Sequence, residues 1–163
     1  VFDVRLVIPI TANVEVIVGN GPVQVTNLVG NVEIHTTVGA VTLNNIDGNV
    51  IAETTRHAVS VKDASGNVRA ITTESDVELR LAPGAEGQVY AETTSGDINI
   101  TLDKGTTASL DLQSADGAVT ANLGGFTVSD ITSGAGYLTG VLNGGGGMIE
   151  ARSESGQIIF VGM

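Results

Sequence analysis

The chain has 163 residues, enough for one domain with a buried core, and no cysteine, which excludes disulfides and thiolate metal sites. Seven Lys and Arg against 18 Asp and Glu leave a net charge of −11, which argues against a basic face for nucleic acid or anionic lipid. Three Phe, two Tyr and no Trp imply a thin core of Val, Ile, Leu and Ala, and no run of 18 apolar residues is present to cross a membrane as a helix.

At the start, Phe2, Val4, Leu6 and Ile8 alternate with polar or smaller residues, which is strand periodicity. Pro9 and Thr11-Ala12-Asn13 break that run. Val14, Val16 and Val18 begin a second strand, ended by Gly19-Asn20-Gly21-Pro22. Residues 1–20 are read as an N-terminal cap and first coil that do not fit the later repeat but hide its first edge. The sequence opens on Val1 without a Met or a basic-then-apolar leader, so loss of an upstream signal or anchor is the expectation.

From Gly30 to Leu79 the chain repeats: GNVEIHTTVGAVTLNNID, GNVIAETTRHAVSVKDAS, GNVRAITTESDVEL. Gly30, Gly48 and Gly66 are 18 residues apart, as are Asn31, Asn49 and Asn67. Thr36-Thr37, Thr54-Thr55 and Thr72-Thr73 keep the same step. A fixed period near 20 with alternating apolar positions marks stacked repeats. Val32/Ile34, Val50/Ala52 and Val68/Ala70 point inward from one side, and Val41/Leu43, Val59/Val61 and Val77/Leu79 from the other. Leu28, Ile46 and Ala64 fill a corner between them. The fold predicted is an all-β, single-chain parallel β-solenoid, or β-helix, of about 18–21 residues per coil, without helices. Right-handed winding is expected, because parallel crossovers favour that hand.

After Leu79 a longer turn, RLAPGAEG, holds Pro83-Gly84, which cannot sit in a central strand. Val89, Ala91, Thr93, Gly96, Ile98 and Ile100 lie 21 residues beyond Val68, Ala70, Thr72, Ser75, Val77 and Leu79. A further 21 gives Leu110, Leu112, Ser114, Gly117, Val119 and Ala121, which predicts the next coil on top. The regular coils thus cover 21–123. Residues 124–163 are read as an irregular coil, a projecting loop around Gly144 to Gly147 and last strands. Register returns 39 residues after the previous coil, at Ile149, Ala151, Ser153, Gly156, Ile158 and Phe160. Phe160 and Met163 are the candidates to close the C-terminal end.

Several of these stretches, TTSGDINITL, QSADGAVTANL and GYLTGVLNGGGGMIEARSESGQIIFV, resemble the bacterial adhesin-type domains of unknown function, built on Gly-Asp half-coils. The matching positions are Ser95-Gly96-Asp97-Ile98, Asp116-Gly117-Ala118-Val119, Asn143 to Gly146 and Ser155-Gly156-Gln157-Ile158. The opening VRLVIPITANVEVIVGNGPVQV is similar to that family's entry strands, whereas His57 and Ser75 stand where Gly is usual. The resemblance implies an all-β solenoid in a cell-envelope or extracellular setting, and no catalytic residue set.

Candidate sites are few. His35 and Glu53 take the same outward position one coil apart and are expected to pair. Zinc is disfavoured, since its ligands come in threes or fours and His57 sits at a turn. Asp47, Asp63, Asp97, Asp103, Asp111, Asp116 and Asp130 lie near turns; their expected role is to accept local backbone N–H groups rather than to bind calcium. There is no Gly-x-Ser-x-Gly elbow and no Lys-Ser/Thr after the Gly run, so neither a nucleophile elbow nor a phosphate loop is read. Asn31, Asn49 and Asn67 are expected to form an amide ladder, and Thr36/Thr54/Thr72 and Thr37/Thr55/Thr73 hydroxyl ladders. Gly30, Gly48, Gly66, Gly96, Gly117 and Gly156 are read as turn glycines. No cofactor is expected. The function read is a non-enzymatic structural or adhesin-like module of the bacterial envelope or surface, with an envelope protein or extracellular glycan as partner and self-association through coil ends possible. The alternatives are an envelope-stress or signalling domain that adds a partner strand at a coil end, and a carbohydrate-binding or carbohydrate-active β-helix.

Overall fold

A computed structural model describes residues 8–81 and 87–163. The strand expected over Phe2, Val4 and Leu6 and the Pro83-Gly84 turn lie outside the described residues. All regular structure among the described residues is strand, and most strands come in pairs, one for each side of a flattened coil, here called a rung. The first four rungs are β1 (Val14–Asn20) with β2 (Val23–Val29), β3 (Val32–Val38) with β4 (Val41–Asp47), β5 (Val50–Thr54) with β6 (Val59–Ala64), and β7 (Val68–Ile71) with β8 (Val77–Leu81). There follow β9 (Gln88–Thr93) with β10 (Ile98–Leu102), and β11 (Ala108–Ser114) with β12 (Val119–Asn122). A pair β13 (Val128–Ser133) and β14 (Tyr137–Leu142) precedes the last rung, β15 (Gly147–Ser153) with β16 (Ile158–Gly162).

The strands form two sheets. One has nine strands, in the order β1-β3-β5-β7-β9-β15-β11-β14-β13, and the other seven, β12-β16-β10-β8-β6-β4-β2. Rung-to-rung pairing is parallel and follows the 18-residue step, with Val14 on Val32, Val32 on Val50 and Val50 on Val68. The repeat therefore takes in Val14–Asn20, which the sequence set apart from the regular coils of 21–123 as cap and first coil. Asn13-Val14-Glu15-Val16 is the counterpart of Asn31-Val32-Glu33-Ile34, and a parallel bridge joins Thr11 to Val29. The sequence hid the phase of this coil, because Ala12 stands where Gly30, Gly48 and Gly66 stand in the rungs that follow.

Alternation sends every second side chain into the space between the sheets, where Ile34, Leu43, Val61, Leu79 and Ile100 are fully buried. The predicted corner is real, and its cause is a left-handed residue. Asn27, Asn45 and Asp63 have φ of 57°, 56° and 56°. This conformation, which short polar side chains tolerate, shifts the alternation by one and turns Leu28, Ile46 and Ala64 inward. Asn45 Nδ2 donates to Asn27 Oδ1 at 2.9 Å, so the corner residues also join one rung to the next.

Chain order and spatial order part company at the fifth rung. The step from Val68 to Val89 stacks as read. Leu110, however, does not lie on Val89. Ile149 does, and Leu110 lies on Ile149. In the other sheet Ile158 sits between Ile98 and Val119. The last rung in sequence is thus an interior rung in space. The reason lies in residues 124–147, which build no further coil. Instead β14 runs antiparallel to β11, and β13 antiparallel to β14. Asn143 to Gly146, with φ of 51°, 90°, 83° and 153°, then carry the chain from one flank of β11 to the other. The Gly144–Gly147 segment is accordingly a crossing turn rather than a projecting loop, and Gly147 is a buried residue of β15.

Phe160 does not close the C-terminal end either. It is fully buried between Ile100 and Ala121. Its ring has room because Ala121 is small, and it meets Phe126 with centroids 6.3 Å apart. Met163 remains 44% exposed. The end is covered by Leu123, Phe126 and Val128, which pack on the core, and by the β13–β14 hairpin.

Candidate functional site

Each predicted column has a definite geometry. Asn31 Oδ1 accepts the backbone N–H of Asn49 at 3.1 Å, Asn49 Oδ1 that of Asn67 at 3.0 Å, and Asn67 Oδ1 that of Gln88 at 2.8 Å. Asn13 begins the series by accepting from Asn31 at 2.9 Å. The ladder is therefore side chain to backbone and points one way, not amide to amide. Aspartates do the same at the opposite turn: Asp76 Oδ1 accepts from Asp97 N and Asp97 Oδ1 from Gln157 N, both at 2.8 Å. Asp103 accepts from Gly105 N at 3.1 Å, the local turn chemistry expected of it.

Thr36, Thr54 and Thr72 are buried and do not bond one another. Thr54 Oγ1 donates to Gly39 O and Thr72 Oγ1 to His57 O, each at 3.0 Å. Thr93 donates to Ser75 O at 2.9 Å, Ser153 to Gly96 O at 3.2 Å and Ser114 to Gly156 O at 2.7 Å. Each hydroxyl staples its rung to the turn of the rung beneath. Thr36 Oγ1 stands in the same column without a partner. Thr37, Thr55 and Thr73 lie outside the core and line a shallow groove.

The turn glycines are explained by close approach. A Cβ at Gly48 would overlap the carbonyl oxygen of Gly30, and one at Gly156 that of Gly96. Gly66 and Gly117 repeat the relation to the rungs beneath them, Gly48 and Gly156.

The outer face of the nine-stranded sheet carries the most elaborate polar arrangement. His35 places Nε2 2.9 Å from Glu33 Oε1 and Nδ1 3.1 Å from Glu53 Oε2. Two carboxylate partners are satisfied together only by an imidazolium, and the Glu33 bond leads in raising its pKa. Arg69 Nε donates to Glu53 Oε1 at 3.2 Å and stacks its guanidinium 5.1 Å from the centroid of Tyr90. Tyr90 in turn donates to Glu92 Oε2 at 2.6 Å; burial first, then this bond, push its phenol up to about 12.

Higher on the same face, Arg152 Nε donates to Glu150 at 2.5 Å and Nη1 to Gln113 Oε1 at 3.0 Å, while Nη2 lies 3.6 Å from Asp111. A cleft of about 370 Å³ opens beside Arg152, bounded by Glu92, Thr94, Gln113, Tyr137 and Glu154. A second, of about 380 Å³, follows Ile17, His35, Glu53 and Ile71 with Thr37, Thr55 and Thr73. The sequence predicted the His35–Glu53 pair. It did not reveal that Tyr90 and Tyr137, the only two tyrosines, share this face, since Tyr137 reaches it through an antiparallel strand outside the repeat. Among the described residues no group of three or more His, Cys, Asp or Glu is arranged to hold a metal ion.

Two facing sheets of stacked rungs, with one elaborated outer face, define a repeat-built β-solenoid. The chain belongs to the Toastrack DUF4097 family of unknown function, whose model matches residues 11–159. A search of curated proteins and a search of solved structures each return no match.

Proposed function

We propose that this chain is a non-catalytic binding module of the bacterial envelope or surface. In this reading the solenoid is a stiff rod, the outer face of the nine-stranded sheet is its contact surface, and an extended extracellular glycan is its ligand. One observation carries the reading: Tyr137, Arg152 and Gln113 line a shallow, hydroxyl-rich cleft on this face, which Tyr90 and Arg69 share. Planar polar side chains already locked in pairs, together with the exposed ring of Tyr137, suit sugar hydroxyls and the apolar faces of sugar rings. The acids here support binding rather than hydrolysis. Glu53, Glu92, Glu150 and Asp111 are each engaged by a cation or hydroxyl on an open surface. They do not confront one another across a closed cleft, as glycoside hydrolysis needs.

Affinity electrophoresis in gels cast with purified cell-wall polysaccharides tests this. Binding is expected to fall at least tenfold in Tyr137→Ala while the fold is unchanged. Retention unaffected by Tyr137→Ala and Tyr90→Phe together, or turnover of the glycan, would remove the reading. A second reading, a protein partner at the first rung, is favoured by the exposure of Ile10, Ile17 and Val29 there. Ile10→Lys is expected to abolish capture of such a partner and, since Ile10 lines neither cleft, to leave glycan retention intact.

A further inference from the structure

The place of the last rung is one that the sequence can fill twice. In the structure Ile149, Ala151, Ile158 and Phe160 lie on Val89, Ala91, Ile98 and Ile100. The 21-residue step would put Leu110, Leu112, Val119 and Ala121 on those same four positions. The interlocks are duplicated as well. Ser153 Oγ staples to Gly96 O, and Ser114 holds the equivalent position one rung up, stapled to Gly156 O. Gly156 and Gly117 both lack the Cβ that would strike the carbonyl beneath. Asp97 Oδ1 caps Gln157 N, where chain-order stacking would bring Ala118 N.

The upper edge of β9 and β10 therefore accepts either rung, and the stack can close over the gap when β15 and β16 leave. Their departure does not strand two bare sheet edges in water, the cost that ordinarily holds an interior strand. On its N-terminal side the rung is tethered by Asn143 and three glycines with positive φ. Fully extended, the steps from Leu142 to Gly147 reach about 17 Å. In the folded chain they bridge two strand spacings, about 9.6 Å. Every bond the rung makes in its place is one that the same segment of another molecule presents identically.

We propose that the gap between β9–β10 and β11–β12 is a strand-acceptor site for a second copy of this chain, so that two molecules exchange residues 147–162 reciprocally. Such an exchange is isologous and closes at the dimer.

The absence of native cysteine makes the test direct. Ser109 and Met148 face each other on neighbouring parallel strands of the outer face, at a spacing of about 4.8 Å that a disulfide can bridge. Folded S109C and M148C proteins are mixed over a range of concentrations and oxidised. The expected product is a heterodimer linked from 109 to 148, identified by peptide mapping, with a yield that rises with concentration. The double variant S109C/M148C is expected to close internally when dilute. Deleting Gly144 to Gly146 leaves about 7 Å of reach, too short to cross β11 within one chain, and is expected to make the exchanged dimer the main species. The proposal is overturned if the double variant closes internally while the mixture yields no 109–148 dimer at any concentration. A folded deletion chain that stays monomeric with residues 147–162 seated in their own gap, read by slow amide exchange there, would overturn it equally. Should the deletion chain not fold, the cysteine mixture alone decides.

Discussion

Thr36, Thr54 and Thr72 are the same residue in the same column, yet their hydroxyls have opposite energetic signs. Thr54 and Thr72 donate to carbonyls of the turns beneath, so replacement by the isosteric Val leaves each carbonyl without its donor. A loss of about 1 kcal/mol is expected for Thr54→Val or Thr72→Val. Thr36 Oγ1 is buried without a partner, and Thr36→Val is expected to stabilise by about 1 kcal/mol. Urea midpoints of the three variants check this, and a common sign would refute it. His35 offers a pH test. Its folded pKa is raised, first by the Glu33 bond and further by the Glu53 charge, so its contribution is complete below the unfolded value and fades as pH rises through the folded one. His35→Gln should therefore cost more stability at about pH 5.5 than at about pH 8.5, on either side of the ordinary histidine range. Denaturant melts at both pH values measure the difference.

Single elements show how far a repeat can be read from sequence. The columns from Gly30 to Ile100 were legible because Gly30, Gly48 and Gly66, Asn31, Asn49 and Asn67, and Thr36, Thr54, Thr72 and Thr93 recur in the same places. Alternation alone then assigns inside and outside. That the first coil shares the 18-residue phase was hidden by one substitution, Ala12. The β13–β14 hairpin was hidden because Val128, Ile131, Tyr137 and Leu138 carry no phase, and an antiparallel strand needs none. Asn143 is the latch of that region. Its Oδ1 accepts from Thr127 N at 2.9 Å, and its Nδ2 donates to Lys104 O at 2.8 Å and to Thr106 O at 2.9 Å. Asn143→Ala removes these bonds and leaves at φ 51° a residue without the polar side chain that makes this conformation tolerable; a loss of about 2–3 kcal/mol is expected from the thermal melt. Gly156→Ala, which drives a methyl into Gly96 O, is expected to cost a similar amount, about 1–3 kcal/mol. The candidate contact face was legible only in part. His35 and Glu53 follow from the 18-residue step, whereas Arg152 joins Gln113 and Tyr137 at one cleft, on the same face as Tyr90, only once the last rung is in place.

For the whole molecule, the consequential fact is that neighbours in space are not neighbours in sequence. Leu110 and Val89 have the spacing of stacked residues, and nothing in their own repeat signals that another rung separates them. The choice is made by the hairpin over the top and by Phe160, whose ring fills the space between Ile100 and Ala121. Edge strands usually exchange amide hydrogens early. Here β15 and β16 are bonded on both sides, so their amides are expected to be among the slowest to exchange, and those of β13 among the fastest. Hydrogen exchange followed by mass spectrometry resolves the two segments. The arrangement also bears on manufacture. A ribosome delivers the lid of this rod before the piece that belongs beneath it. A message cut short just past Asn143 would therefore leave β11 and β12 to drop straight onto β9 and β10, a rod one plank short and without Phe160 beneath its lid, recognisable to any protease that hunts for unfinished work.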